Sequence, residues 1–248
     1  AEKGYLSLEL SATSKGGHAS APPDDTPVTI LSEAVCRVNK SGIFKLKLTD
    51  SVKMLFNTIA RHSESFAIKV IFANLWLFLP VVKIIAKKSG GEFLAMFKTT
   101  TAFTMMSGSR QINVLPPKAK VGINLRILTG ETVETAVSAI EKKINDPRVE
   151  TKVLYGHNPS TVSKVDEGFD RVKDAILTIW GDAVVAPYLM AACTDSRSYH
   201  KICSNVYRFS PVQMTKEELG TIHGNNESIS IENITDCVKF YISFLKRS

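Results

Sequence analysis

The chain has 248 residues, 44% apolar and 22% charged, which is enough to bury a sizeable core in one or two domains and lies well outside the disordered regime. Its formal net charge is +7, but the lysines are scattered rather than gathered among aromatic residues, which argues against a nucleic-acid partner. Four cysteines (Cys36, Cys193, Cys203, Cys237) with no C-x-x-C pairing exclude a zinc finger.

Residues 4–13 alternate, with Leu6, Leu8, Leu10 and Ala12 on one face and Ser7, Glu9 and Ser11 on the other, which predicts a half-buried strand. After the turn at 14–17 comes His18. A helix then starts with Thr26 as N-cap and Pro27 at its first position, carrying Val28, Leu31, Ala34, Val35 and Val38, and it stops at Asn39–Gly42. Cys36 and Cys237 fall on apolar helix faces and are expected to be small core residues.

Leu46 and Leu48 suggest a short strand, and residues 51–62 a helix. The run 66–82 is strongly apolar. Its uncharged part, between Lys69 and Lys83, is 13 residues, short of the roughly 20 needed to span hydrocarbon, so no transmembrane segment is expected. Pro80 should also interrupt a helix there. Three readings stay open for this run: buried helices of an enlarged lid, an apolar surface next to a substrate site or dimer contact, or association with a membrane surface.

Residues 92–106 look strand-like. From 119 to 127 alternation returns, with Ala119, Val121, Ile123, Leu125 and Ile127 inward and Lys120, Gly122, Asn124 and Arg126 outward. A helix follows from Glu131, buries Val133, Ala136, Ile140 and Ile144, and is stopped by Asn145-Asp146-Pro147. Val149, Thr151, Val153 and Tyr155 make a further strand. Two helices over one face of a four-stranded antiparallel sheet is the sandwich this order implies.

A boundary falls near 156–163. Beyond it come a helix through Phe169, Val172 and Ile176, strands at 183–186 and 206–209, and a last helix capped by Ser230. The chemistry-bearing stretches here are Ala192–Arg197 and Ile222–Glu227, polar groups packed at the ends of short apolar runs. A thiol at Cys193 fits either a reactive group or a small packed residue, and His223 fits either a loop histidine or a zinc donor.

Three stretches of this half, Cys193-Thr194-Asp195-Ser196-Arg197, Tyr207-Arg208-Phe209-Ser210-Pro211 and Ile222-His223-Gly224-Asn225-Asn226-Glu227, together resemble the C-terminal part of the M20 metallopeptidases. The likeness is to the branch of Gly-Xaa carboxypeptidases and N-acyl-amino-acid hydrolases. Glu2-Lys3-Gly4, Gly16–Pro23, and Asn113–Pro117 followed by Asn124-Leu125-Arg126 are similar to the opening and middle of that family's second domain.

The resemblance implies a mixed α/β and α+β fold. Residues 1–157 would be a ferredoxin-like two-layer lid or dimerisation domain with a helical insertion at about 43–100. Residues 158–248 would be the C-terminal part of a zinc-peptidase α/β catalytic domain. It also implies hydrolysis, in the intact parent, of dipeptides or N-acyl amino acids with a free C-terminal carboxylate, using two zinc ions, and a homodimer formed through the lid.

Most of the family's metal ligands and its general base lie before the start of this sequence. The chain by itself is therefore expected to be inactive and not to retain zinc, with a separate N-terminal catalytic half as its missing partner; the alternative is a non-enzymatic dimerisation or binding fragment. By resemblance, His18 is catalytic, donating across the dimer to the oxygen that turns negative. Asn113, Arg126, Thr194 and Arg197 bind substrate, the arginines as carboxylate clamps. Asp195 holds Arg197 or His223 in place, and His223 is the metal ligand. Two departures stand out: Ala191-Ala192-Cys193-Thr194 replaces a glycine-rich approach, and Asn225-Asn226 stands where a hydrophobic residue usually precedes the glutamate.

Overall fold

The computed structural model describes residues 1–222 and 224–246, and the chain divides into two compact units. The first comprises Ala1–Lys53, Asn74–Thr161 and Tyr188–Asp195, and the second Met54–Ala73, Val162–Pro187 and Ser196–Ser248.

The first unit is built on strand β1 (Gly4–Thr13), which pairs antiparallel along its whole length with β5 (Lys118–Ile127), from Gly4 opposite Ile127 to Thr13 opposite Lys118. β3 (Thr100–Ser107) adds to the outer edge of β5 and β6 (Glu150–His157) to the other edge of β1, giving the order β3-β5-β1-β6. Helices α1 (Pro27–Lys40) and α6 (Val133–Ile144) follow β1 and β5, so the connectivity is β-α-β-β-α-β, the ferredoxin-like arrangement.

The period-two pattern decides which face is covered. Leu6, Leu8 and Leu10 of β1 and Val121, Ile123 and Leu125 of β5 join Leu31, Ala34 and Val38 of α1 and Ile140 and Ile144 of α6 in one core. Each such side chain contributes roughly 1.5–3 kcal/mol by leaving water. Both helices start in capping boxes: Thr26 accepts from the backbone N–H of Thr29, and Thr132 from that of Thr135. Asn145 takes the left-handed conformation at φ 45° and ends α6. Gly4 is required by close approach, because a Cβ there would lie 2.8 Å from the His157 carbonyl oxygen and from Pro159.

The insertion differs from expectation in three ways, at 45–49, at 92–106 and at Pro80, while the expected helix at 51–62 forms. Residues 45–49 form no strand; Lys47 N–H donates to the distant Phe97 carbonyl and the Thr49 carbonyl accepts from Lys53 N–H at the start of the next helix, so no ladder is built. The run 92–106 is not one strand: α5 (Gly91–Ala95) follows Gly90 and Gly91, both at positive φ, and β3 starts only at Thr100. α2 (Asp50–His62), α3 (Phe66–Ala73) and α4 (Leu75–Ser89) are helices, with the break at Asn74. Pro80 sits inside α4, which continues past it at the cost of one backbone hydrogen bond.

The run 66–82 is buried in part: α3 buries no residue and Phe66 and Trp76 are each 80% exposed, while Leu75 and Val82 of α4 are buried. Among the described residues no single helix is long and apolar enough to cross a membrane.

In the second unit α7 (Glu167–Ile179) packs on α10 (Ile231–Leu245) through Ala175, Ile176 and Phe240, with Trp180, Phe209 and Phe244 extending the aromatic contact. The short helices α8 (Ser196–Tyr199) and α9 (Lys216–Thr221) complete it. The expected strands at 183–186 and 206–209 are extended chain without a ladder. Val206 N–H is taken by the Ser163 hydroxyl and Ala183 N–H by the Trp180 carbonyl, and among the described residues no strand pairs with either segment. Cys36 is exposed, against the expectation of a core residue, because α1 turns Ala34 and Val38 inward instead. Cys237 is half-buried, its thiol 2.9 Å from the Pro211 carbonyl oxygen.

Candidate functional site

Two constellations in the first unit carry chemistry. The first is a ribbon of β2 (Gly17–His18) and β4 (Val114–Leu115), in which His18 pairs with Val114. Gly16 and Gly17, at φ 69° and 147°, supply the turn that an L side chain resists. The Ala19 N–H donates to the Asn113 carbonyl at 3.0 Å, so the ribbon brings together His18 and Asn113, which are 95 positions apart in sequence. His18 Nδ1 accepts the Ser20 N–H at 3.2 Å and lies 2.8 Å from the Ser20 hydroxyl. An accepting Nδ1 places the proton of the neutral ring on Nε2, leaving an exposed imidazole with an outward N–H donor.

The second constellation gathers three separate pieces of chain around Arg126. This residue lies on the face of β5 away from the core, opposite Tyr5 of β1 and Thr100 of β3. Its guanidinium sits 4.8 Å from the centroid of the Tyr5 ring, a cation–π contact, and Nη1 donates to Cys193 Sγ at 3.1 Å. Cys193 is half-buried, and its thiol also lies 3.8 Å from the Lys3 carbonyl oxygen, so it contacts both the guanidinium and the backbone beneath it.

The neighbouring Thr194 is held by Glu2. One carboxylate oxygen accepts the Thr194 N–H at 3.0 Å and the other its hydroxyl at 2.7 Å, while the Glu2 N–H donates to Ser160 Oγ at 2.8 Å. Glu2 is only 1% exposed, and these charge-assisted bonds are what make its burial tolerable.

Lys3 is fully buried, its ammonium donating to the carbonyls of Ala95 at 3.0 Å and Lys98 at 2.8 Å. Burial, reinforced by the Arg126 charge and partly offset by Glu131, pulls its pKa down from 10.5 to about 8. Glu2, Lys3 and Tyr5 were not among the residues expected at a site. The available signal was two charged residues immediately ahead of a strand whose apolar positions are all inward.

The remaining expected residues are spread more widely. Asp195 is exposed at the end of the first unit, and Arg197 is exposed in α8 of the second. His223, the expected metal ligand, lies outside the described residues. Among the described residues no group of three or more His, Cys, Asp or Glu side chains converges to hold a metal ion, so these residues do not by themselves compose a zinc centre.

In the second unit Asp166 caps α7, accepting from the Gly168 N–H, the Tyr207 hydroxyl and the Asn205 amide. The Tyr207 bond holds the Asp166 carboxyl below its usual range. Desolvation and the Asp166 carboxylate push the Tyr207 hydroxyl up to about 12. This arrangement is a helix cap with its partners satisfied.

Residues 1–152 match the peptidase dimerisation domain of the M20 family. The chain is 33% identical over its whole length to the N-fatty-acyl-amino acid synthase/hydrolase PM20D1 of Mus musculus, covering 50% of that protein. It is 32% identical to the probable carboxypeptidase S-like 2 of Dictyostelium discoideum, again over the whole chain and 47% of the relative. The chain thus spans about half the length of the curated relatives it matches.

In fold it is similar to the di-peptidase Dug1p of Saccharomyces cerevisiae, with a TM-score of 0.65 at 14% identity over 99% of this chain and 54% of that one. It is likewise similar to the M20 family metallo-carboxypeptidase Sso-CP2 of Sulfolobus solfataricus, with a TM-score of 0.63 at 15% identity over 98% and 58%. By the match over residues 1–152, this chain belongs to the M20 peptidase family.

Proposed function

We propose that this chain forms the substrate-selecting part of an M20 hydrolase that cleaves the amide bond of N-acyl amino acids or dipeptides bearing a free C-terminal carboxylate. The observation that carries this reading is the setting of Arg126. Arg126 is half-buried, its guanidinium held 4.8 Å from the Tyr5 ring centroid and hydrogen-bonded to Cys193, which favours a fixed position for receiving a carboxylate through paired hydrogen bonds. Thr194, locked by Glu2, fixes the backbone next to Cys193 and so the position from which the thiol meets Arg126.

His18, with an outward Nε2–H and Asn113 beside it, serves as a hydrogen-bond donor to an oxygen that gains charge during hydrolysis. It does so in the partner copy's site of a lid-mediated homodimer. The resemblance gives Arg197 a second carboxylate-binding role, Asp195 a positioning role and His223 the role of a metal ligand in the parent. The parent's two zinc ions would take donors beyond the described residues, and the 248-residue chain alone is expected to be inactive and to retain no zinc.

The test uses the full-length parent. Arg126→Lys should lower kcat/KM for an N-acyl amino acid about a hundredfold while leaving its C-terminal amide, already a poor substrate, unchanged, because the lost pair of charge-assisted bonds is worth about 2–3 kcal/mol. Equal losses on both substrates would refute the clamp. A second reading, a dimerisation or binding fragment without its own chemistry, draws on the absence of a metal-capable group among the described residues. The Arg126→Lys assay on the parent separates the two, since a fragment without a part in the chemistry predicts no loss on either substrate; stoichiometric zinc on the isolated 248-residue chain would overturn the zinc-free state that both readings share.

A further inference from the structure

Helix α4 of the insertion is apolar on every side, yet only one side is covered. Leu75, Val82 and Ala86 turn inward. Trp76, 80% exposed, and Leu77, Val81, Ile84 and Ile85, each between 44% and 56% exposed, line the opposite side with Pro80 among them. At 100° per residue these six occupy one half of the helix surface, and the exposed Lys87 and Lys88 close the same half at its C-terminal end. No Asp or Glu occurs from Ser65 to Gly91, whereas Lys69, Lys83, Lys87 and Lys88 do.

We propose that this face of α4 docks on an anionic phospholipid surface, lying in the plane of the interface with Trp76 and the aliphatic side chains at the acyl boundary and the lysines among the headgroups. The helix has 15 residues, about 22 Å of length at 1.5 Å per residue, too short to span hydrocarbon and suited to lying flat. Tryptophan favours that boundary because its ring is apolar and its N–H wet.

Charge selects the occupant. A second copy meeting this patch across a twofold axis would gather Lys87 and Lys88 of both copies in one interface, with no carboxylate in the segment to pair them. α10 shows the contrasting case. It also leaves Val238, Tyr241 and Leu245 exposed, but its charges are of both signs, with Asp236 and Lys239 paired at 2.9 Å, as suits contact with further protein. The α4 proposal is independent of what the site hydrolyses.

The test is co-sedimentation of the 248-residue chain with vesicles of phosphatidylcholine containing about 30% phosphatidylserine, against pure phosphatidylcholine and against no vesicles. In a Trp180→Phe background Trp76 is the sole tryptophan and reports insertion by a blue shift in emission. Phosphatidylserine should bring the chain into the pellet and shift Trp76. Lys87→Ala with Lys88→Ala should weaken partitioning about thirtyfold, at about 1 kcal/mol per lysine, and Ile84→Ser with Ile85→Ser should abolish it, circular dichroism confirming that each variant is folded.

The proposal is overturned if the folded wild-type chain stays in the supernatant, if it binds both vesicle types equally, or if binding survives the Ile84 and Ile85 changes. Concentration-dependent self-association that shields Trp76 from quencher without lipid would also overturn it. If Trp180→Phe does not fold, co-sedimentation of the wild-type chain decides the matter alone.

Discussion

Raising the pH through the titration of Lys3 should stabilise the first unit, against the usual behaviour of a protein taken to alkaline conditions. The ammonium is fully buried and its pKa lies at about 8 in the folded chain against 10.5 for an exposed lysine. Between those values the unfolded chain binds the proton and the folded chain does not, so unfolding becomes less favourable as pH rises. The charged form is therefore penalised below pH 8, the penalty shrinks as pH climbs, and it is gone above 10.5.

Between about pH 7 and about pH 9.5 the gain from this one group amounts to about 2 kcal/mol. The raised pKa values of Tyr188 and Tyr207 act in the opposite sense, but only above their ordinary value of 10, which sets the upper end of the useful window. The assay is urea unfolding of the wild-type chain and of Lys3→Met across that range. Lys3→Met removes the titration while costing the donors to the Ala95 and Lys98 carbonyls, a loss that does not vary with pH. The wild type should gain on the variant by about 2 kcal/mol as pH rises. Parallel curves would refute the reasoning and mean that Lys3 keeps its charge at no cost.

Other outcomes follow from the same contacts. Glu2→Gln keeps the shape but removes the charge behind two bonds to Thr194, and should lower stability by about 1–3 kcal/mol in urea unfolding; a neutral result would show that the loop is held by something else. Thr132→Ala removes the cap of α6 and should cost about 1 kcal/mol, read as a lowered melting temperature. Arg148 donates from Nε and Nη2 to Asp146 and from Nη1 to Asp25, and holds the Asp146 carboxyl at about 2. Arg148→Ala should therefore raise the Asp146 pKa toward the ordinary carboxylate range, followed by NMR titration of the side-chain carboxyl carbon.

Period and punctuation made the sandwich legible. β5 alternates through ten residues and β1 does so up to Leu10, with Ser11 buried out of phase, so one face of each had to be core, and Thr26-Pro27 and Asn145 mark helix ends by local chemistry alone. The insertion was harder because its apolar residues run all round α3 and α4. Such a pattern says that the segment is apolar but not which side is covered, and burial resolves it only partly. The failed strands at 183–186 and 206–209 share one cause: a β-rich tetrapeptide becomes a strand only where another chain segment offers a matching ladder.

The site divides along the same line. Arg126, Asn113 and His18 could be singled out by residue type and by resemblance, since a carboxylate-binding guanidinium and a hydrogen-bonding imidazole are properties of the side chains. That Arg126 lies over Tyr5 and against Cys193, that Glu2 latches Thr194, and that Lys3 is buried beneath two backbone carbonyls depend on residues 67 to 192 positions apart meeting. By itself the sequence determined the alternation, the caps and the family motifs, because those depend on neighbours within a few residues. The partners of each charge were decided only by the tertiary structure, because burying an ion requires donors and acceptors that local sequence does not supply.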